Sequence, residues 1–159
     1  MKPLARHHSL SPLWMMLFLT AINLVSAPYI SSAITVGEKR YGGIVFYMDK
    51  SGEHRLVAAK ENIASHSRGM TAEEFTWHNA KAACNTYESN GYHGWKMPNA
   101  WQLSQLYLQR NLVSGFNDNF YWSSSRENNE NARYIYFYSG EQNHEVKFAS
   151  GRVRPVREF

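Results

Sequence analysis

The chain has 159 residues, 43% hydrophobic and 14% aromatic, enough for one globular core with no room for a second. A single cysteine, Cys84, excludes an intrachain disulfide, so packing must supply the stability. The formal charge of +4 contains no lysine or arginine block of the kind that marks nucleic-acid binding, and setting Lys2 and Arg6 aside leaves +2, 15 basic against 13 acidic residues.

Residues 1–33 read as a signal peptide. Lys2 and Arg6 precede a stretch from His7 to Gly37 without Asp, Glu, Lys or Arg, and an apolar run spans 13–25. Pro28 disfavours cleavage after Ala27, whereas Ser31-Ser32-Ala33 offers small residues at the required places, so a mature domain over residues 34–159 is expected. The charge-free span is also just long enough to cross a bilayer, which leaves an uncleaved anchor as the alternative and as the only membrane contact expected. No cysteine stands directly after the apolar run to carry a lipid. The expected location is outside the cytoplasm: periplasm, cell surface or extracellular space.

A β-rich run, Tyr41-Gly-Gly-Ile-Val-Phe-Tyr-Met-Asp49, is closed by the turn signal Asp49-Lys-Ser-Gly52 and followed by Arg55-Leu-Val-Ala-Ala59, which predicts a hairpin. Gly42 and Gly43 at its start predict a bulge or a close approach of two backbones. Residues 61–70 are polar and read as an irregular loop. Thr76 then caps a helix with Trp77, Ala80, Cys84 and Tyr87 on one stripe, and Asn90-Gly91 ends it.

The best-marked element is the second helix. Pro98 keeps Met97 out of helical geometry, Asn99 can accept first-turn N–H groups, and Gln102 stands three residues later, as a capping box requires. Leu103, Leu106 and Tyr107 recur at helical spacing, with Leu108 and Leu112 extending the apolar side, and the helix is expected to end within 111–115. Phe116-Asn-Asp-Asn-Phe-Tyr-Trp-Ser-Ser-Ser125 reads as a turn feeding an aromatic strand, with a polar tip at 127–131. In Arg133-Tyr-Ile-Tyr-Phe-Tyr-Ser139 alternation puts Ile135 and Phe137 on one face and Tyr134, Tyr136 and Tyr138 on the other. Gly140 turns the chain. Glu145-Val-Lys-Phe148 and Arg152-Val-Arg-Pro-Val-Arg157 are expected to complete a C-terminal antiparallel meander.

These segments form an ordered set. Gly42-Gly-Ile-Val-Phe-Tyr-Met-Asp49, Ser51-Gly-Glu-His-Arg-Leu-Val-Ala-Ala-Lys60, Thr76-Trp-His-Asn-Ala80, Cys84, Gly94-Trp-Lys-Met-Pro98, Gln102-Leu103, Tyr121-Trp-Ser-Ser124 and Val153-Arg-Pro-Val-Arg157 together resemble the collagen-like adhesin C-terminal domain family (Lcl C-terminal domain) over nearly all of residues 34–159. The resemblance implies a C-type-lectin-like α+β fold, two helices packed on twisted antiparallel β-sheets, in an exported bacterial protein. It also implies binding of sulfated glycosaminoglycans in one characterised member type. Lys96-Met97, Asn99 and Gln102 stand where that pattern has Arg-Leu, Thr and Glu, and no collagen-like repeat precedes the domain, which removes the usual source of multivalency.

Trp77, Trp95, Trp101 and Trp122 are candidates to stack on sugar rings, with Trp95 and Trp122 assigned to the core. The expected ligand-binding set is Tyr134, Tyr136, Tyr138, Lys147, Arg152 and Arg154, with Arg133 nearby: aromatic faces for pyranose rings and planar donors for sulfate or carboxylate. Arg154 and Arg157 have a structural reading as well, pairing with backbone carbonyls or acidic groups. Calcium, zinc and a nucleophile triad find no ligand set or spacing here, so no cofactor, metal or enzymatic activity is expected. Two functions stay open: adhesin-like recognition of an acidic glycan, or a structural subunit of a cell-envelope or secretion-system assembly working through protein–protein contacts.

Overall fold

The computed structural model describes residues 33–159 except 68 and 69. The expected leader over 1–33 lies, but for its last residue, outside the described residues.

The hairpin anticipated at 41–59 forms from β2, Gly43–Met48, and β3, Arg55–Ala58, paired antiparallel. Asp49 shapes its turn by accepting bonds from Ser51 Oγ at 2.9 Å and from the Glu53 N–H at 3.1 Å. Gly43 marks the close approach: a Cβ there would lie 2.2 Å from the Ala58 carbonyl oxygen. β1, Lys39–Arg40, adds outside β2, and β9, Val156–Glu158, adds outside β3, giving the antiparallel order β1-β2-β3-β9. Val45 pairs with Val57 but Tyr47 pairs with Leu56, so Phe46 is an extra residue in a β-bulge.

The loop expected at 61–70 contains instead a small ribbon, β4 (Ser65–Ser67) paired with β5 (Met70–Ala72). Helix α1, Trp77–Thr86, buries Trp77, Ala80 and Cys84 of the stripe read from the spacing, while its fourth member, Tyr87, is the half-buried C-cap. Its start differs from expectation, because the Thr76 side chain makes no cap bond. Its end comes at Tyr87, and Asn90-Gly91 instead form a turn at positive φ.

Helix α2, Ala100–Leu108, starts with the capping box: Asn99 Oδ1 accepts the Gln102 N–H at 2.8 Å, and Gln102 Oε1 accepts the Asn99 N–H at 2.9 Å. The helix breaks at Gln109, and a short α3, Arg110–Val113, carries the chain to Ser114 and Gly115, both at positive φ; the break turns Val113 inward and leaves Leu108 and Leu112, expected on the apolar side, exposed.

β6 (Phe120–Arg126), β7 (Asn131–Tyr136) and β8 (Gln142–Val146) form an antiparallel meander. The C-terminal segment does not complete it. Arg152 bridges Tyr121 in parallel, and Val156–Glu158 then joins the other sheet through β3. Pro155 has no N–H for a ladder, and its carbonyl accepts the Ala59 N–H at 2.9 Å, which ties the crossing to the hairpin.

The result is an α+β fold with three buried clusters among the described residues. Leu103 and Leu106 of α2 and Val113 of α3 lie between the four-stranded sheet (Ile44, Phe46, Leu56) and one face of the meander (Tyr121, Ile135, Phe137). α1 covers the opposite face of the meander through Trp77, Ala80 and Cys84 against Trp122 and Ala132. Trp95 backs the four-stranded sheet against Val45 and Val57. Each large side chain so buried contributes about 1.5–3 kcal/mol.

Candidate functional site

The alternation read for β7 places Ile135 and Phe137 in the core, and Tyr136 and Tyr138 are exposed, Tyr138 by 72%. Tyr134 is half-buried, its ring 4.7 Å from Phe120. Burial, together with the carboxylates of Glu141 and Glu145, raises the Tyr134 phenol above its ordinary value.

Three cations expected beside the tyrosines lie elsewhere. Lys147 is only 5% exposed: its ammonium donates to the carbonyls of Asn128 (3.0 Å) and Asn129 (2.6 Å) and sits 5.2 Å over the Trp77 ring. It ties the β6–β7 tip to α1. Arg152 is ion-paired with Glu73 and donates to Asn117 Oδ1 at 3.1 Å.

Arg154 is fully buried. It donates to the carbonyls of Ala59, Lys60, Ser114 and Gly115 and to Asn62 Oδ1, and its guanidinium stacks 4.2 Å from the Phe116 ring. Burial draws its pKa down to about 10, which leaves it charged at neutral pH. These three belong to the framework, and the expected ligand surface of three tyrosines and three cations is not assembled. Arg157 is also structural: it donates to the Tyr41 carbonyl at 2.8 Å and lies 4.8 Å over the Tyr92 ring.

Arg133 is different. Its side chain is 55% exposed and its Nε donates to Glu127 at 2.8 Å, while its terminal nitrogens make no bond among the described residues. It pairs across the meander with His144, as Ile135 pairs with Gln142. Arg133, His144, Gln142, Asn143, Tyr134 and Glu127 line a cleft of about 220 Å³ closed by Ala100 at the start of α2. His144 and Gln142 were missed as site residues in the sequence. Counting outward from Tyr138 and Ser139, the centre of the turn, is what pairs them with Arg133 and Ile135.

A second groove, of about 270 Å³, lies beside α2 and is lined by Tyr47, Asp49, His54, Leu56, Trp101 and Glu158. Trp101 is 50% exposed, whereas Trp77, Trp95 and Trp122 are buried and donate their indole N–H groups to the carbonyls of Ser123, Tyr92 and Phe75. Of the four tryptophans considered for stacking, Trp101 is the one left with an open ring face.

No curated protein matches the chain. Residues 43–157, from the first strand of the hairpin to the arginine held against Tyr41, match the family model of the Lcl C-terminal domain, and the chain belongs to that family.

Proposed function

We propose that this domain is an exported, non-catalytic recognition module of C-type-lectin-like type. In this reading the cleft between β7, β8 and the start of α2 takes a saccharide carrying a sulfate or carboxylate group. The observation that carries it is Arg133, which lines a cleft together with His144, Gln142 and Asn143; Glu127 holds its Nε, and its two terminal nitrogens make no bond among the described residues. A planar donor fork suits a sulfate or carboxylate, and the amide and imidazole groups suit sugar hydroxyls. The N-terminal end of α2 adds a favourable field for an anion.

Because Lys147, Arg152 and Arg154 are engaged inside the fold, the attraction rests on few charges and its salt dependence is shallow. Heparin chromatography tests this. Retention at low ionic strength, elution by modest salt and loss of retention in Arg133→Ala are expected. Flow-through of the unmodified chain, or unchanged retention of Arg133→Ala, discards it.

One observation favours a second reading, a subunit of an envelope assembly: Phe148 is 84% exposed next to Val146 in an apolar hollow with His78. Stoichiometric partners co-purified with the chain, and lost on Phe148→Ser, would favour that reading.

A further inference from the structure

The bulge in β2 does more than bend a strand. Unbroken alternation along β2 would put Tyr47 on the face of Val45 and Val57; the bulge at Phe46 breaks that alternation, and Tyr47 stands opposite Leu56 on the α2 side, the side of Ile44 and Phe46. There its ring meets Trp101 at 4.8 Å between centroids and 83° between planes. Leu56 lines the same groove, and Glu158, its cross-strand neighbour, brings a carboxylate there. Asp49 supplies another, held in place by Ser51 and by the backbone N–H groups of Glu53 and His54. The Glu158 carboxylate has no partner among the described residues, and no lysine or arginine is among the residues lining the groove.

Two aromatic walls near a right angle make a corner, and a corner suits a compact, rounded group better than a flat ring. Electron-rich ring faces and uncompensated carboxylates both attract positive charge. We propose that the Tyr47–Trp101 corner binds an organic cation, an alkylammonium group. The groove shares no residue with the Arg133 cleft, so this site stands or falls independently of the glycan reading. The ammonium can arrive on a lysine side chain or on an amino sugar.

The test is ¹⁵N-resolved NMR of the full chain, following the Trp101 indole N–H, assigned through Trp101→Phe, and the backbone amides of Tyr47 and Asp49. The probes are tetramethylammonium against neutral tert-butanol, Nα-acetyl-lysine amide against its Nε-acetylated form, and glucosamine against N-acetylglucosamine. Saturable shifts are expected with each charged probe and not with its neutral counterpart. Binding should weaken about threefold in Asp49→Asn and again in Glu158→Gln, and the Tyr47 and Asp49 shifts should vanish in Trp101→Leu, which alters only a half-exposed position. The tighter of the lysine and glucosamine probes identifies the carrier. Equal shifts from neutral and charged probes, or shifts that survive Trp101→Leu, overturn the proposal.

Discussion

The guanidinium of Arg154 donates a 2.6 Å hydrogen bond to the carbonyl of Gly115. The same side chain reaches Ala59 and Lys60, so one residue of the C-terminal crossing joins the end of the hairpin to the turn after α3. Replacing it with Met leaves several buried carbonyls without donors. Arg154→Met is expected to lose about 3 kcal/mol or more in urea unfolding, and Arg154→Lys to recover only part, since an ammonium cannot span the same acceptors. A stability loss under about 1 kcal/mol for the Met variant would contradict the role given to this residue.

The two helix starts make a matched pair. Asn99 and Gln102 form a reciprocal box, whereas Thr76 has an extended backbone and no cap bond. Asn99→Ala should cost about 1 kcal/mol, seen as a drop of a few degrees in melting temperature. Thr76→Ala should leave the melting temperature close to that of the unmodified chain, and equal losses from both would show that the geometry at Asn99 carries no special weight.

Glycines separate by what surrounds them. Gly43 has the Ala58 backbone against it, while Gly52, at φ +73°, has open space. Gly43→Ala should prevent folding or cost more than about 3 kcal/mol, because backbone must move apart within a paired hairpin. Gly52→Ala should cost only about 1–2 kcal/mol for its left-handed conformation. Chemical unfolding of the two variants reads the difference, and a well-folded Gly43→Ala protein would refute the close approach.

Alkaline pH should destabilise the fold. Burial pushes the Cys84 thiol well above its ordinary 9.0. Burial also raises the Tyr121 phenol above 10.0, although bonds from Asn117 and Asn62 and the charge of Arg154 work the other way. Below pH 9 both folded and unfolded chains keep these protons, so the stability is fully present there. Above it the unfolded chain ionises while the fold does not, and stability falls as pH rises. Arg154 acts in the opposite sense above about pH 10, where the unfolded chain holds its proton more tightly. Melting temperature should therefore decline from about pH 9 upward, and Cys84→Ala should flatten the first part of that decline. The thiol itself should resist a disulfide reagent until the chain is unfolded. Rapid labelling of the native protein would rule out its burial.

Hairpin, helices and the face of β7 were legible from neighbouring residues alone. Asn99 and Gln102 lie one turn apart, Ile135 and Phe137 alternate, and Trp77, Ala80 and Cys84 recur at helical spacing, so the physics that selects each element acts over a few positions. The fate of the arginines and of Lys147 was not legible, because the acceptors that hold Arg154 come from residues 59–60 and 114–115, and those holding Lys147 from 128–129. Local pattern cannot tell a buried cation satisfied by distant carbonyls from an exposed one waiting for a ligand. The tertiary structure also decided that the last strand joins the four-stranded sheet, and that a bulge breaks the alternation of β2 so that Tyr47 faces Trp101. Both are matters of register between segments far apart in the chain, and register is settled only when those segments pack.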